Sequence, residues 1–440
     1  RTMTTDKNNI LVRTLKKMAM IEPHELKATI TAFCFVFIIM AAYYILRPVR
    51  DAMASDWTDA EVSFLWTLNF FISAGIVALY GFAVCKIKFN HLVPAVYGFF
   101  SASFIIFYFA IEAVDDRVLV DKSFYVWLSV FSLFHISVFW SFMSDLFKTE
   151  QAKRLFSVIA AGASAGALLG PIPSMFATVI GTDQLMLIAA VMLIIPVPLI
   201  FYLGKLKVTE LHNEDVHADL SSVKIGGNPF AGFKLFFTNP YLLGIGIFIF
   251  LYTMIGSFVY FEQKNLLAPF ERAERTSMLA TVDWIANILT FVLAFFVTGR
   301  LVYKFGMGIT LALLPVFVIG GMIILAFAPI VMVVLALQVA RRGGNYAITR
   351  PAREMLYTEV DRETRFKAKP VIDIVVYRGG DTISAWLFTG LSEVLGLGIA
   401  AIALVGAGVS AAWATVGVLL GKAYEKKSPK TDMRQKEASS

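Results

Sequence analysis

Long apolar runs constrain the fold of this chain more than any other feature of its sequence. One of them, Leu92 to Ile111, contains no charged residue. A helix needs about twenty apolar residues to cross the roughly 30 Å of hydrocarbon in a bilayer. The whole chain is 58% hydrophobic and only 16% charged, which a soluble domain could not bury. We therefore predict an all-α polytopic membrane protein.

The apolar runs predict about twelve transmembrane helices. Their predicted positions are 25–47, 60–84, 91–113, 123–146, 155–178, 183–204, 240–261, 276–299, 306–327, 328–349, 370–390 and 396–420. Basic residues lie in alternate loops and in both tails, whereas opposite loops such as Asp115 to Asp121 are acidic. Because cytoplasmic loops retain Lys and Arg, this pattern predicts a membrane protein with both termini in the cytoplasm. The net charge of +7 then reflects orientation rather than nucleic-acid binding.

The longest polar connection, Lys205 to Gly227, divides the chain into two halves of six helices each. Similar charged segments, Thr149 to Arg154 and Arg362 to Lys367, follow the fourth span of each half and indicate a duplication. Two parallel six-helix repeats are typical of major-facilitator-like transporters, whose substrate binds near the membrane midplane. A channel or a receptor is the alternative. The predicted segments are an N-terminal segment 1–22, a first half 23–204, a central loop 205–239, a second half 240–421 and a basic tail 422–440.

Two similar clusters of cations, proline and acid end apolar runs. The first is Arg47-Pro48-Val49-Arg50-Asp51, which we expect to close the first span, and the second is Arg350-Pro351-Ala352-Arg353-Glu354, at the tenth. A single arginine at a helix end more often reaches the lipid headgroups. Charges within a membrane usually face a cavity or a partner, and the repeated pattern favours an anionic ligand.

Further charges interrupt the apolar runs of the second half. Arg341 and Arg342 lie midway along the tenth span, where a guanidinium can donate two hydrogen bonds to a phosphate or carboxylate. The alternative is an ion pair with a neighbouring helix. The eighth and eleventh spans carry charges that are either counter-ions or proton-coupling carboxylates and their partners. These residues are Asp283, Asp373, Arg378 and Asp381.

Aromatic residues accompany the charged clusters. Tyr43, Tyr44 and Tyr346 could stack on a purine, although aromatic residues at helical spacing are more often core residues. His135 lies on an aromatic helix, where a structural role is more common than proton relay. The histidines lack metal-ligand spacing, so we predict no metal site.

Two further features of the sequence concern helix packing and enzyme function. The residues Gly162, Gly166 and Gly170 form a small-xxx-small repeat that predicts close helix packing. The sequence shows no catalytic triad or Walker motif. We therefore predict neither an enzyme nor a cofactor-binding protein.

Three motifs resemble the bacterial and plastid ATP/ADP translocase family, a group of nucleotide transporters related to the major-facilitator superfamily. They are Tyr44 to Asp51, Arg350 to Met355 and Lys367 to Asp381. By this resemblance, Arg50 and Arg378 occupy the places of family lysines that engage nucleotide phosphates, and Asp283 matches a family aspartate. The chain departs from the family near Leu128 and Tyr260, where the family carries acids, with Glu262 close to the second position but displaced.

The resemblance implies a secondary active transporter that exchanges an anionic, nucleotide-like solute of the ATP/ADP type by alternating access. The expected substrate-binding residues are Tyr44, Arg50, Arg341, Arg342 and Arg378. The expected gate residues are Arg47, Asp51, Arg350, Arg353 and Glu354, and the coupling or counter-ion residues are Asp283, Asp373 and Asp381. The alternatives are a proton-coupled carrier of another solute and a membrane scaffold or receptor that does not transport. The expected partners are the solute and the lipid bilayer, not nucleic acid, and the oligomeric state is left open, with a monomer compatible.

Overall fold

A computed structural model describes residues 21–87, 89–213, 231–296, 298–361, 364, 368, 369 and 371–427. Over these residues the chain is helical and contains no strand. The predicted N-terminal segment up to residue 20, most of the central loop and residues 428–440 of the tail lie outside the described residues. The predicted all-α class is confirmed.

Twelve long helices follow one another in the described part of the chain, and we label them α1 to α12. Ten are long and apolar enough to span a membrane. A short helix, Ala231–Thr238, precedes α7. The bounds are α1 Leu26–Met53, α2 Asp59–Lys86, α3 Phe89–Ala113, α4 Arg117–Leu146, α5 Thr149–Leu169 continued by Pro171–Met175, α6 Thr182–Met192 with Pro196–Thr209, α7 Pro240–Leu267, α8 Arg272–Phe296, α9 Thr298–Phe327, α10 Val331–Leu356, α11 Val371–Val394 and α12 Ile399–Lys427.

The remaining two helices, α10 and α11, are interrupted by π-helical turns. In α10 the π segment Asn345–Thr349 follows the two arginines after Gly343 and Gly344, and in α11 the segments Val371–Val376 and Gly390–Val394 flank a regular helix. Such turns are rare and occur frequently at functional sites. Both helices therefore have local geometry that distinguishes them from the other ten.

The first charged motif lies in the last two turns of α1, as predicted for a motif that closes the first span. The helix ends at Met53, beyond the predicted end at residue 47, and Pro48 lies in its interior. Proline has no N–H to donate to the carbonyl of Tyr44. The hydroxyl of Ser174 donates to the adjacent carbonyl of Ile45 at 3.0 Å. The continuous helix places Arg50 within the membrane-spanning element itself.

The described residues form two compact units. The first unit contains α1 up to Asp51, the part of α2 from Phe71, helices α3 to α6, and the start of α8, Arg272–Thr281. The second contains residues 52–70, α7, the rest of α8 and helices α9 to α12. Helices α2 and α8 are thus each divided between the units.

Small residues allow α5 to pack closely against α1 in the first unit. A Cβ atom on Gly162 would lie 2.6 Å from the carbonyl oxygen of Phe33. On Gly170 it would lie 2.8 Å from the carbonyl oxygen of Ala41. The close packing predicted from the glycine repeat is confirmed.

Candidate functional site

In the first unit, Arg50 lies in a polar cluster formed by α1 and α4. Its guanidinium donates to the carboxylate of Asp51 at 2.9 and 2.7 Å and to the hydroxyl of Ser129 at 3.2 Å. It also lies over the ring of Tyr125, 5.6 Å from the centroid. Arg47 is 3.7 Å from the same carboxylate, so two arginines share Asp51.

Aromatic residues extend this cluster. The ring of Tyr43 stacks on that of His135 with the centroids 4.5 Å apart, and Tyr44 lies under the guanidinium of Arg47 at 5.9 Å. His135 is only 5% exposed, and its Nδ1 atom has no hydrogen-bond partner in the described part of the chain. The buried imidazole of His135 is therefore held by stacking on the ring of Tyr43.

In the second unit, the adjacent residues Arg341 and Arg342 have different partners. The guanidinium of Arg342 is bonded to the carboxylate of Asp283. Arg341 donates to the side-chain amide oxygen of Gln338 at 3.1 and 2.8 Å, and it lies 5.8 Å from the ring centroid of Tyr252. One arginine thus forms a buried ion pair and the other is held by neutral groups.

Helix α11 brings more charge to the same region. Asp381 interacts electrostatically with both Arg378 and Arg341. The rings of Tyr252 and Tyr377 lie 6.2 Å apart beside them. We call Arg341, Arg378, Asp381, Tyr252 and Tyr377 the central arginine cluster. Two guanidinium groups, which can donate paired hydrogen bonds to an anion, thus lie near one acid and two aromatic rings.

The second predicted motif forms a separate ion-pair group at the ends of α10 and α11. Glu354 lies 3.4 Å from Arg353 and accepts a hydrogen bond from Lys369 at 2.5 Å. Arg350 lies over the ring of Tyr346. Asp373 is half-buried and interacts electrostatically with Arg350, Arg353 and Lys369. These residues are charge-paired with one another and lie apart in sequence from Arg341.

The structure also shows a polar group that the sequence analysis missed. The ammonium of Lys264, near the end of α7, donates to Asp59 at 2.8 Å and to Asn265 at 2.7 Å. The hydroxyl of Ser392 donates to the other oxygen of Asp59 at 2.7 Å. We call Asp59, Lys264, Asn265 and Ser392 the Asp59 cluster. The sequence feature from which this cluster could have been predicted is Lys264, a cation near the end of a long apolar run.

A second missed group lies in the first unit. Arg117 forms two hydrogen bonds with Asp183, of 3.1 and 2.6 Å, and lies 3.4 Å from Asp121. Arg272, the first residue of α8, donates to Asp121 at 2.7 Å. This network joins α4, α6 and α8.

One group of possible metal ligands occurs among the described residues, before α1. Ligand atoms of Glu22, His24 and Glu25 lie within 4.8 Å of one another. Arg154, however, donates to both carboxylate oxygens of Glu25 at 3.1 and 2.8 Å. Burial raises the pKa of Glu25, but the hydrogen bonds from Arg154 and from the Glu22 backbone lower it more. The carboxylate is therefore occupied by an arginine.

The fold and the buried charges define the class of this protein: an integral, multi-pass membrane protein with a major-facilitator-like fold. A solved structure of the nucleoside transporter NupG is similar, with a TM-score of 0.57 at 15% identity, covering 91% of this chain and 99% of that one. A bacterial homologue of the human lysosomal transporter Spinster, in an inward-facing and unoccupied conformation, gives a TM-score of 0.55 at 13% identity, covering 92% of this chain and 97% of that one.

Curated relatives are carriers as well. The chain is 22% identical to ADP,ATP carrier protein 1 of Rickettsia bellii, over 86% of this chain and 88% of the relative. It is 20% identical to ADP,ATP carrier protein 1 of Chlamydia pneumoniae, over 86% of both. No protein-family model matches the chain. The predicted resemblance to the ATP/ADP translocases is confirmed, and the relatives are transporters rather than enzymes.

Proposed function

We propose that this chain exchanges anionic nucleotides of the ATP/ADP type by alternating access across the inner membrane of a bacterium, with both termini in the cytoplasm. The ADP,ATP carriers of Rickettsia and Chlamydia support the solute class. The basic loops and tails support the orientation.

The buried charge of Arg341 carries this proposal. Arg341 is 7% exposed, and among the described residues no carboxylate oxygen lies within ion-pair distance of its guanidinium. A buried cation without an ion pair is costly in a membrane protein. An arginine in this situation is suited to bind an anion, because its planar fork can donate two parallel hydrogen bonds to phosphate.

The other candidate residues take distinct roles in this proposal. Arg378 is a further contact for the anion in the second unit. In the first unit, Arg50 is a separate candidate contact for an anion, and Tyr44 lies under the guanidinium of Arg47. Arg342 and Asp283 form a fixed pair that supports α10 against α8. The gate residues are Arg47 with Asp51, and Arg350 with Arg353 and Glu354.

Uptake of labelled ATP into proteoliposomes tests the proposal. We expect uptake into vesicles loaded with ADP and little uptake into empty vesicles. Arg341→Gln should lower the rate roughly tenfold or more, because hydrogen bonds to charged groups contribute about 1.5–3 kcal/mol. Lys304→Gln is the control, since Lys304 is an exposed cation of the same unit.

Two results would contradict the proposal. One is ATP uptake that is independent of internal ADP. The other is full exchange by a folded Arg341→Gln variant, which would remove Arg341 from the anion site.

A further inference from the structure

Glu262, near the end of α7, is an acid that none of the roles above uses. Its side chain is 0% exposed, and neither carboxylate oxygen has a hydrogen-bond partner among the described residues. The adjacent Gln263 is 3% exposed, and its Oε1 atom also lacks a donor. A buried carboxylate without donors or a cation is strongly disfavoured.

At the level of Glu262, α7 packs against α2 and α11. The ring of the preceding residue, Phe261, packs against Phe388 of α11 at 4.9 Å and against Trp66 of α2 at 5.5 Å. The hydroxyls of Ser63 on α2 and Thr389 on α11 are hydrogen-bonded to each other at 2.8 Å. Helices α2, α7 and α11 thus form one packed layer at this level of α7.

Among the described residues, no cation pairs with Glu262. Lys264, the basic residue of the same helix end, is hydrogen-bonded to Asp59. Asp59 is itself an acid and supplies no positive charge for Glu262.

The charged groups on the other packed elements do not supply a partner. Glu393, at the end of α11, is exposed and accepts a hydrogen bond from the backbone N–H of Ala60. The contact of Phe261 with Phe388 places Arg378 and Asp381 several turns away along α11. The charged residues described on the elements that pack against α7 are Asp56 before α2, Asp59 and Glu61 at the start of α2, Lys234 of the short helix, Arg341, Arg342, Arg350, Arg353 and Glu354 on α10, Asp373, Arg378, Asp381 and Glu393 on α11, and Lys422, Glu425, Lys426 and Lys427 at the far end of α12.

We propose that Glu262 is a proton-binding site: it holds a proton in the arrangement described here and releases it to water only when α2 separates from α7 and α11. The acid loses its proton and becomes a carboxylate, and the proton passes to water. Such a separation must break the Asp59–Lys264 ion pair, the Asp59–Ser392 hydrogen bond and the Ser63–Thr389 hydrogen bond. Lys264 and the ionised Glu262 would then both be hydrated.

The proton-binding site itself does not depend on the proposed function. Only the coupling of proton release to transport rests on it. If the solute is exchanged by alternating access, opening this layer is one step of the cycle, and proton release accompanies that step. The pH on the side to which the layer opens should then change the exchange rate.

Infrared spectroscopy of the purified protein tests proton binding without any solute. The wild type should show the carbonyl stretch of a protonated carboxylic acid at neutral pH. The signal should be lost in Glu262→Gln and kept in Glu112→Gln, which changes an exposed acid of α3. Persistence of the whole signal in Glu262→Gln would overturn the proposal, whether or not nucleotides are transported.

Exchange measured over a range of external pH tests the coupling. We expect the rate to vary with pH in the wild type and in Glu112→Gln, and to vary much less in Glu262→Gln. An unchanged pH profile in Glu262→Gln would overturn the coupling. If Glu262→Gln does not fold, Glu262→Met is the substitute, since a neutral side chain of similar length needs no donor there.

Discussion

Adjacent residues on a helix point in directions about 100° apart, and this determines what two neighbouring arginines do. Arg342 points to Asp283 and Arg341 to Gln338 and Tyr252. The sequence predicts that both cations are important, because arginines inside an apolar run are costly. The sequence cannot assign the partners of these two arginines. Asp283 lies on another helix, and nothing in the sequence distinguishes Gln338 from other polar residues.

The Arg342–Asp283 pair gives a prediction about stability. Removing one partner of a buried ion pair leaves an uncompensated charge and typically costs about 3–5 kcal/mol. We expect Asp283→Asn or Arg342→Met to lower the unfolding temperature strongly, and the double variant to lose less than the sum of the two. Lys153→Met is the control, because Lys153 and Glu150 form an exposed pair. Unfolding in detergent measures the difference, and equal effects for Arg342→Met and the control would contradict it.

The importance of Glu262 could not be predicted for a related reason. The family resemblance places an acid near Tyr260, and the sequence shows Glu262 as merely displaced from that position. What makes it unusual is complete burial without a donor. The helices that pack against α7 at this level, α2 and α11, lie far from Glu262 in the chain.

At the scale of the helices, the sequence predicts the elements well and their ends poorly. The span predicted as 123–146 begins at Arg117, where the side chain of Asp116 accepts a hydrogen bond from the N–H of Val118. The span predicted as 155–178 begins at Thr149. Apolar windows find the part of a helix inside the bilayer, whereas polar first turns are formed by capping that hydropathy does not detect.

The glycines of α5 give a prediction at this scale. Gly166→Ala would place a Cβ atom 2.8 Å from the Cβ of Met40 and 3.1 Å from the backbone nitrogen of Ala41. We expect a loss of stability of about 1–3 kcal/mol, which is typical of overpacking. Gly75→Ala is the matched control, because nothing lies within 4 Å of its Cβ position. It should be neutral or slightly stabilising, since alanine favours helix over glycine by up to about 1 kcal/mol. Equal thermal stability of the two variants would contradict close packing at α5.

At the scale of the whole molecule, the boundaries of the predicted halves do not coincide with those of the compact units. In each half the difference involves the second helix. The segment Ala52–Phe70, which includes the start of α2, belongs to the second unit, and Arg272–Thr281, the start of α8, belongs to the first. Each of these segments carries an ion pair: Asp59 with Lys264 and Arg272 with Asp121. Sequence reasoning could not find these pairs, because they join residues more than a hundred positions apart.

Ligand binding provides a prediction for the molecule as a whole, because a solute that binds only the folded protein stabilises all of it. At a concentration one hundred times its Kd, such a ligand adds about 2.7 kcal/mol to the free energy of unfolding. We expect ADP to raise the unfolding temperature of the wild type, and adenosine to raise it much less, since adenosine has no phosphate for Arg341 and Arg378. Arg341→Gln should lose most of the response to ADP, while Lys304→Gln should keep it. If adenosine stabilises the wild type as much as ADP, the central arginine cluster does not bind the anion, and the solute is instead an uncharged nucleoside of the kind named for NupG.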